Sequence, residues 1–331
     1  DYLLQLSTNL VSGRQLALKN YFSAGTTLSG QMPKAQEGEN EANLPPFVEL
    51  DRSNLFDVQG KRVLVTGGGS GIGAMIAATF VANGADVIIC SRKNPVEYAE
   101  FLSKKGPGKC TSLAVDVTKE EDLDTLIKFL SSKSRAPSGR YLDVLINNSG
   151  TNFSGPIDKY PRSQFQKVLD LNVTAIFRVT QALLPLLQRP APEYSVGQDL
   201  DPSRVINISS INGVTIPDMD TYAYTTSKSA VMQLTKHMAA RLAVEGILVN
   251  AICPGAFPSR MMRKTLQVAG DAVVEATALK RTGTPQDIGG TCVFMSSRAG
   301  AWITGATLVV DGGQIIRSPF LESQAGTLAK L

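Results

Sequence analysis

The strongest constraint in this sequence is a regular alternation, from residue 60 onward, of short apolar runs with longer stretches of helical period. Apolar runs without polar alternation are typical of strands that are covered on both faces, and helical crossovers make neighbouring strands parallel. We therefore predict an α/β domain with one doubly wound sheet of seven parallel strands and helices on both faces. The predicted strands are KRVLVT, ADVIIC, CTSLAV, LDVLIN, SRVINIS, GILVNAI and ATLVVD.

The domain boundaries follow from where this alternation starts and stops. With 331 residues, 43% of them hydrophobic, the chain is long enough for one large core. Residues 1–56 are predicted to be an N-terminal extension or linker, since 25–46 are rich in Gly, Ser, Asn, Glu and Pro without a sustained period. Residues 57–316 form the predicted catalytic domain and 317–331 a tail. The loop 188–203 leads into a strand, so we expect it to lie away from the site.

Charge and residue usage argue against several classes of function. A net charge of +4 gives no basic nucleic-acid footprint. No apolar run approaches the roughly 18 residues that a membrane-spanning helix needs. The four cysteines lack the close spacing of zinc sites and are not expected to form a disulfide framework. The single histidine, His237, makes Ser/His/Asp catalysis improbable, and we expect it to be structural.

A glycine-rich segment, TGGGSGIG at residues 66–73, joins the first strand to a helical run. Glycine permits positive φ and close backbone approach, while the free amides of a helix N-terminus attract phosphate. This strand, turn and helix context is that of a Rossmann-type dinucleotide site. We predict that the turn binds a cofactor pyrophosphate through Gly67, Ser70, Gly71, Ile72 and Gly73.

The end of the second strand indicates which dinucleotide binds. A site for NAD usually carries Asp or Glu there, but this chain has Cys90, Ser91, Arg92 and Lys93. The guanidinium of Arg92 can form bidentate hydrogen bonds with a 2′-phosphate, so we favour NADP(H) over NAD(H). Ser91, beside Arg92, is predicted to bind the cofactor as well. The alternative is that Arg92 is a solvated loop arginine.

Asp116 and Val117 follow the third strand and are predicted to line the adenine site. Asp116 either accepts a hydrogen bond from the adenine amino group or lies at the start of the next helix. The second alternative is supported by Thr118 and Glu121, which form a capping-box pattern directly after it.

Tyr224 and Lys228 lie one helical turn apart and therefore share a helix face. A phenol normally loses its proton near pH ~10, so acid/base work at neutral pH needs an adjacent cation. Ser209 and Ser210 end the fifth strand, and NNSG at 147–150 follows the fourth strand, with Asn172 in the next helix. We predict that these groups converge beyond the carboxyl ends of the strands.

Taken in order, these motifs resemble those of the short-chain dehydrogenase/reductase family over residues 58–316. The resemblance is carried by TGGGSGIG, NNSG, Asn172, Ser210, the Tyr224/Lys228 pair and Pro254-Gly255. Two departures occur. Ser149 stands where alanine is usual, and the Ser210 to Tyr224 spacing is one residue longer than the commonest one.

The resemblance implies a catalytic set for ketone/alcohol interconversion. Ser210 would bind the substrate oxygen, and Tyr224 would donate a proton to it. Lys228 would lower the tyrosine pKa and hold the nicotinamide ribose, and Asn172 would position a relay water. Implied cofactor contacts, besides Tyr224 and Lys228, are Asn148, Gly150, Pro254, Gly255 and Ser259; for Ser259 a helix N-cap is the alternative. No metal is expected.

The segment after Pro254 is predicted to be an apolar lid that favours a hydrophobic ketone. Its cations either meet an acidic acyl carrier or form a solvated face. The lid residues are Phe257, Met261, Met262, Leu266 and Val268, and the cations are Arg260, Arg263 and Lys264.

The stretch FPSRMM is similar to 3-oxoacyl-(acyl carrier protein) reductase members related to the rhamnolipid pathway, which implies a 3-oxoacyl thioester substrate. The enoyl-reductase members of the family depart as a class from the Ser/Tyr/Lys set, so ketone reduction is favoured. Alternatives are a dehydrogenase of a sugar or polyol, and a non-catalytic structural or carrier-binding subunit.

The two termini of the chain carry patterns that are typical of targeting signals. Residues 2–22 resemble a targeting presequence, with a packing arm as the alternative. Ala329, Lys330 and Leu331 form a variant of the S-K-L signal, which predicts a peroxisomal location, with mitochondrion or cytoplasm as alternatives. The resemblance further implies a homotetramer or homodimer built through helices near 163–187 and 222–244.

Overall fold

The computed structural model of the chain describes residues 50–188 and 201–316. The predicted N-terminal targeting segment, most of the loop 188–203 and the carboxyl-terminal signal therefore lie outside the described residues. Within the described ranges, no helix has both the length and the apolar character needed to cross a membrane.

All seven predicted strands are present, and every neighbouring pair in the sheet is parallel. Their order is β3-β2-β1-β4-β5-β6-β7. The fold prediction is thus confirmed. The strands are β1 Arg62–Thr66, β2 Asp86–Ser91, β3 Lys109–Ala114, β4 Val144–Asn147, β5 Ser203–Ile208, β6 Ile247–Pro254 and β7 Thr307–Val310.

Each connection between strands carries helix. Short 3₁₀ turns accompany several of these connections. The α-helices are α1 Arg52–Leu55, α2 Gly71–Ala82, α3 Val96–Lys105, α4 Glu120–Ser131, α5 Arg162–Leu169, α6 Ala175–Leu187, α7 Tyr222–Leu242, α8 Arg263–Glu275 and α9 Pro285–Ser296.

The core lies on both faces of the sheet because successive strand residues point to opposite sides. In β1, Val63 and Val65 join the cluster under α2 and α9, whereas Leu64 joins the cluster under α4, α6 and α7. All three side chains are fully buried. Double-sided burial explains why the strands read as continuous apolar runs.

The strand order reverses at β1, whose neighbours are β2 and β4. In an open parallel sheet, the loops that leave such a switch point diverge and open a crevice at the carboxyl ends. The predicted site residues lie in the loops and helices that follow β1 to β6, so the topology brings them to one edge of the sheet.

The predicted helical stretch near 163–187 is interrupted. A π-helical turn, Asp170–Thr174, joins α5 to α6, and Asn172 lies in it. Such turns insert an extra residue into a helix and are frequent at functional sites.

Close packing of α2 against α9 depends on a glycine. A Cβ atom built on Gly289 would lie 1.9 Å from Oγ1 of Thr79, whereas one built on Gly290 meets nothing within 4 Å.

We expect Gly289→Ala to lower the free energy of unfolding by about 1–3 kcal/mol through overpacking. Gly290→Ala, the matched control, should be neutral or stabilising by up to about 1 kcal/mol through helix propensity. Urea unfolding measures both, and equal effects would contradict this account of the helix contact.

Candidate active site

A cavity of about 2000 Å³ opens at the carboxyl ends of the strands. Nearly all the predicted site residues line it, and the exceptions are Gly73 and Asn172. Its walls include Gly67, Ser70, Gly71, Ile72, Ser91, Arg92, Asp116, Val117, Asn148, Gly150, Ser210, Tyr224, Lys228, Pro254, Gly255 and Ser259.

The glycine turn has the backbone geometry that its sequence predicts. Gly67 has φ +66° and Gly71 has φ +55°, a region that favours glycine. Helix α2 begins at Gly71, and the hydroxyl of its N-cap, Ser70, accepts no capping hydrogen bond. The first amides of the helix therefore lack a side-chain acceptor, which suits an anionic ligand.

Gly73 has a packing role. It is buried, and a Cβ atom built on it would lie 2.4 Å from both Nδ2 of Asn148 and the carbonyl oxygen of Gly67. The structure thus places Gly73 behind the cavity wall, where only glycine lets α2 approach the turn this closely.

Thr66 joins the glycine turn to the loop after β4, a role that the sequence analysis did not assign. Its Oγ1 accepts hydrogen bonds from the backbone amides of Asn148 and Ser149, both at 3.0 Å. In return, Nδ2 of Asn148 donates to the carbonyl oxygen of Thr66 at 2.9 Å. Only the pairing of β1 with β4 brings these residues together, so no local sequence signal reveals the contact.

Arg92 lies exposed on the loop after β2 and lines the cavity. Asp116, which follows β3, also lines it. Burial acts to raise the pKa of Asp116, but hydrogen bonds from Thr118 and the charge of Arg92 outweigh it, so that this pKa lies below its ordinary value.

The capping box of Thr118 and Glu121 is not formed, and the choice for Asp116 between an adenine contact and helix entry stays open. Helix α4 starts at Glu120 with Lys119 as its N-cap and has no side-chain cap. Thr118 instead turns back, and its Oγ1 donates to Asp116 at 2.7 Å.

Ser210, Tyr224 and Lys228 share one wall of the cavity. Nζ of Lys228 lies 5.6 Å from the centre of the Tyr224 ring and donates to the carbonyl oxygen of Ile208 at 2.8 Å. Lys228 is only 4% exposed, while Tyr224 is half-buried at the start of α7. The helical spacing thus places the amine near the ring of Tyr224, on the shared helix face that the sequence predicts.

Burial controls the ionisation of this pair. It raises the pKa of Tyr224 above its ordinary value, against a smaller lowering by the hydrogen bond with Ser210. It also lowers the pKa of Lys228 to about 8. Burial is thus the largest influence of the described residues on the pKa of Tyr224, and the lowering by Lys228 that the family resemblance implies stays a prediction.

Asn172 is fully buried in the π-helical turn. Its Oδ1 accepts from the amide of Thr151 at 2.8 Å, and its Nδ2 donates to the carbonyl oxygen of Thr151 at 2.9 Å. Nδ2 also donates to Oγ of Ser227 at 2.9 Å, and that hydroxyl donates to the carbonyl oxygen of Tyr224 at 2.7 Å. The side chain of Asn172 thus ties the loop after β4 to the catalytic turn of α7. The positioning of a relay water by Asn172 stays a prediction.

The segment after β6 covers the glycine turn. A Cβ atom built on Gly71 would lie 3.0 Å from Cβ of Ser259, and Oγ of Ser259 accepts from the amide of Met262 at 3.2 Å. The bond from the amide three residues on is the one that an N-cap serine makes, and α8 itself begins at Arg263, so the N-cap alternative for Ser259 stays open beside a cofactor contact.

The predicted lid divides into a buried and an exposed part. Phe257 belongs to the core at 2% exposure, because Gly283 packs directly against its ring. Its assignment to a flexible lid is corrected accordingly. Met261 is 48% exposed and lines the cavity, whereas Val268 is 80% exposed on α8.

A family model described as enoyl-(acyl carrier protein) reductase matches residues 67–314. The chain belongs to the short-chain dehydrogenase/reductase family. This membership accounts for the shared order of glycine turn, NNSG motif, serine, tyrosine and lysine along the sheet edge.

The names of relatives within the family refer to different substrates. The chain is 37% identical, over 78% of its length and 97% of the relative, to the rhamnolipids biosynthesis 3-oxoacyl-[acyl-carrier-protein] reductase of Pseudomonas aeruginosa. It is 33% identical, over 80% and 98%, to the 2-dehydro-3-deoxy-D-gluconate 5-dehydrogenase of Bacillus subtilis. The fold matches the Pseudomonas aeruginosa RhlG/NADP active-site complex with a TM-score of 0.71 at 37% identity, covering 78% of this chain and 98% of that one.

The buried amine of Lys228 predicts a pH effect on stability. The unfolded chain, with an ordinary lysine pKa of about 10.4, binds more protons between the two pKa values than the folded chain, whose Lys228 pKa is about 8. The unfolding free energy of the wild type relative to Lys228→Met should therefore rise by about 1 kcal/mol or more between about pH 8 and about pH 9.5. Urea unfolding at both pH values measures it. Lys236→Met, on the exposed face of the same helix, is the control, and a difference independent of pH for Lys228→Met would contradict the shift.

Proposed function

We propose that this protein is an NADP(H)-dependent reductase of a 3-oxoacyl thioester or another hydrophobic ketone, with Tyr224 as the general acid. The observation that carries the proposal is the shared wall of Ser210, Tyr224 and the buried Lys228 in the cavity that also contains the glycine turn. This arrangement offers a proton donor and a hydrogen-bonding hydroxyl beside a site for a dinucleotide.

The described residues fit two groups of NADP(H), the diphosphate and the 2′-phosphate of the adenosine ribose. The glycine turn leaves helix amides free for phosphate, and Gly67 and Gly71 leave room for close approach. Arg92 lies exposed on the cavity wall where the segment from Ser91 to Asn94 has no carboxylate, which suits a 2′-phosphate. The NADP complex of the 37% identical relative supports this choice. When bound, the nicotinamide supplies hydride for the carbonyl carbon of the substrate.

Three side chains then do the remaining chemistry. The hydroxyl of Ser210 holds the substrate oxygen, and the phenol of Tyr224 gives that oxygen its proton. Burial keeps the phenol protonated, because it raises the pKa of Tyr224, and a protonated phenol is the form that a reduction needs. The ammonium of Lys228, held by the carbonyl of Ile208, stabilises the phenolate left behind.

The mouth of the cavity supports a hydrophobic substrate. Pro217, Met219 and Met261 line it, and Met219 and Met261 are about half exposed. Exposed Ile216, on the same loop as Met219, extends this apolar surface outward. Flexible methionines accommodate acyl chains well. Arg260, exposed beside Met261, offers a cation to a phosphate-bearing thioester carrier.

A sugar-acid ketone is the second candidate substrate, favoured by the 33% identical gluconate-type dehydrogenase. Enoyl reduction is disfavoured, although the matching family model carries that description, because the chain keeps the serine, tyrosine and lysine of the ketone reductases.

The decisive experiment follows NADPH oxidation with a 3-oxoacyl-CoA and with 5-keto-D-gluconate. We expect the thioester to be reduced, and Tyr224→Phe to lower kcat about 10²–10⁴-fold because a positioned general acid is lost. The dissociation constant for NADPH should stay nearly unchanged. Tyr222→Phe, which removes an exposed hydroxyl bonded to Asp220, is the matched control and should retain activity.

Equal rates for wild type and Tyr224→Phe would refute the acid role. A clear preference for 5-keto-D-gluconate would replace the thioester by the sugar acid as substrate class.

Arg92 should determine the choice of cofactor. Arg92→Ala is expected to raise the dissociation constant for NADPH about tenfold, because a charge-assisted contact to the 2′-phosphate is lost, while that for NADH changes little. Fluorescence titration measures both. Arg298→Ala, an exposed arginine outside the cavity wall, is the control. A parallel loss of NADH affinity would show that Arg92 does not recognise the 2′-phosphate.

A further inference from the structure

Ser149, directly after Asn148 in the loop that follows β4, lies beside the glycine turn because β4 pairs with β1. Its backbone is fixed, since its amide donates to Oγ1 of Thr66 at 3.0 Å. The residue is half-buried and lines the cavity.

The hydroxyl of Ser149 faces the first glycine of the turn. A Cβ atom built on Gly67 would lie 3.2 Å from Oγ of Ser149. The turn itself is held in place, because the amide of Gly67 donates to the carbonyl oxygen of Cys90 at 2.7 Å. Two separately anchored backbones therefore set the distance between this hydroxyl and the glycine.

Among the described residues, this hydroxyl has no hydrogen-bond partner, because the only bond of Ser149 to another residue is made by its amide. A half-buried hydroxyl that lacks a protein partner bonds to water or to a ligand oxygen. Here the ligand space beside it is the anion-binding glycine turn.

We propose that Ser149 is a cofactor-binding residue, and that its hydroxyl donates to an oxygen in the adenosine diphosphate half of NADP(H). The inference rests on the proposed function, since it assigns a contact within the same cofactor site. Diphosphate oxygens and ribose hydroxyls share the acceptor chemistry that a serine hydroxyl recognises, and the fragments below separate these two sources.

The test is Ser149→Ala, which removes only Oγ and keeps the amide bond to Thr66. Binding is measured by titration of NADPH fluorescence and by calorimetry with 2′-phospho-ADP-ribose, so the result does not depend on turnover. We expect both dissociation constants to rise about tenfold, the usual effect of losing a hydrogen bond to a charged or strongly polar acceptor. Ser154→Ala, an exposed serine of the same loop outside the cavity wall, is the matched control and should change neither.

Adenosine 2′-monophosphate, which keeps the ribose and the 2′-phosphate but carries neither phosphate of the diphosphate link, identifies the acceptor. A similar loss for this fragment supports a contact to the adenosine ribose, and a loss confined to 2′-phospho-ADP-ribose supports the diphosphate. Unchanged affinity of Ser149→Ala for 2′-phospho-ADP-ribose, beside tight wild-type binding, would overturn this inference alone. Failure of the wild type to bind NADPH would overturn the proposed function and this inference with it.

Discussion

The candidate active site depends on one interaction at the end of β1. There, Oγ1 of Thr66 accepts hydrogen bonds from the backbone amides of both Asn148 and Ser149. Thr66 ends β1 and is 2% exposed, so these bonds form away from competing water. They hold the glycine turn and the loop after β4 at one distance on either side of the switch point.

The turn of α7 that carries Tyr224 and Lys228 is anchored by a second polar contact in the core. Burying a lysine amine is costly unless it is hydrogen-bonded, and here the carbonyl oxygen of Ile208 accepts from Lys228. Asn172 and Ser227 add a link from the other side, through the backbones of Thr151 and Tyr224. The phenol is thereby carried on a helix turn that is tied both to the sheet and to the loop after β4, the preorganisation that proton transfer needs.

Sequence patterns predicted the sheet well because strands that are buried on both faces have continuous apolar sequences. They also predicted the glycine turn, since positive φ at Gly67 and Gly71 is a local requirement. They failed where a role depends on distant partners. Phe257 was predicted as a lid residue from its composition alone, but contact with Gly283 places it in the core. The effect of burial on the pKa of Tyr224 was likewise not predicted, because burial is not visible in a four-residue spacing.

The sequence by itself determined the class of fold, the order of the strands along the chain, the backbone of the glycine turn, and the helical spacing of Tyr224 and Lys228. Each of these follows from short-range sterics or from hydrophobic periodicity. Only the tertiary structure decided that Asn172 faces Thr151 and Ser227 instead of the cavity, and that the hydroxyl of Ser149 faces Gly67. These contacts join residues far apart in the chain, and the pairing of parallel strands, not the local sequence, brings them together.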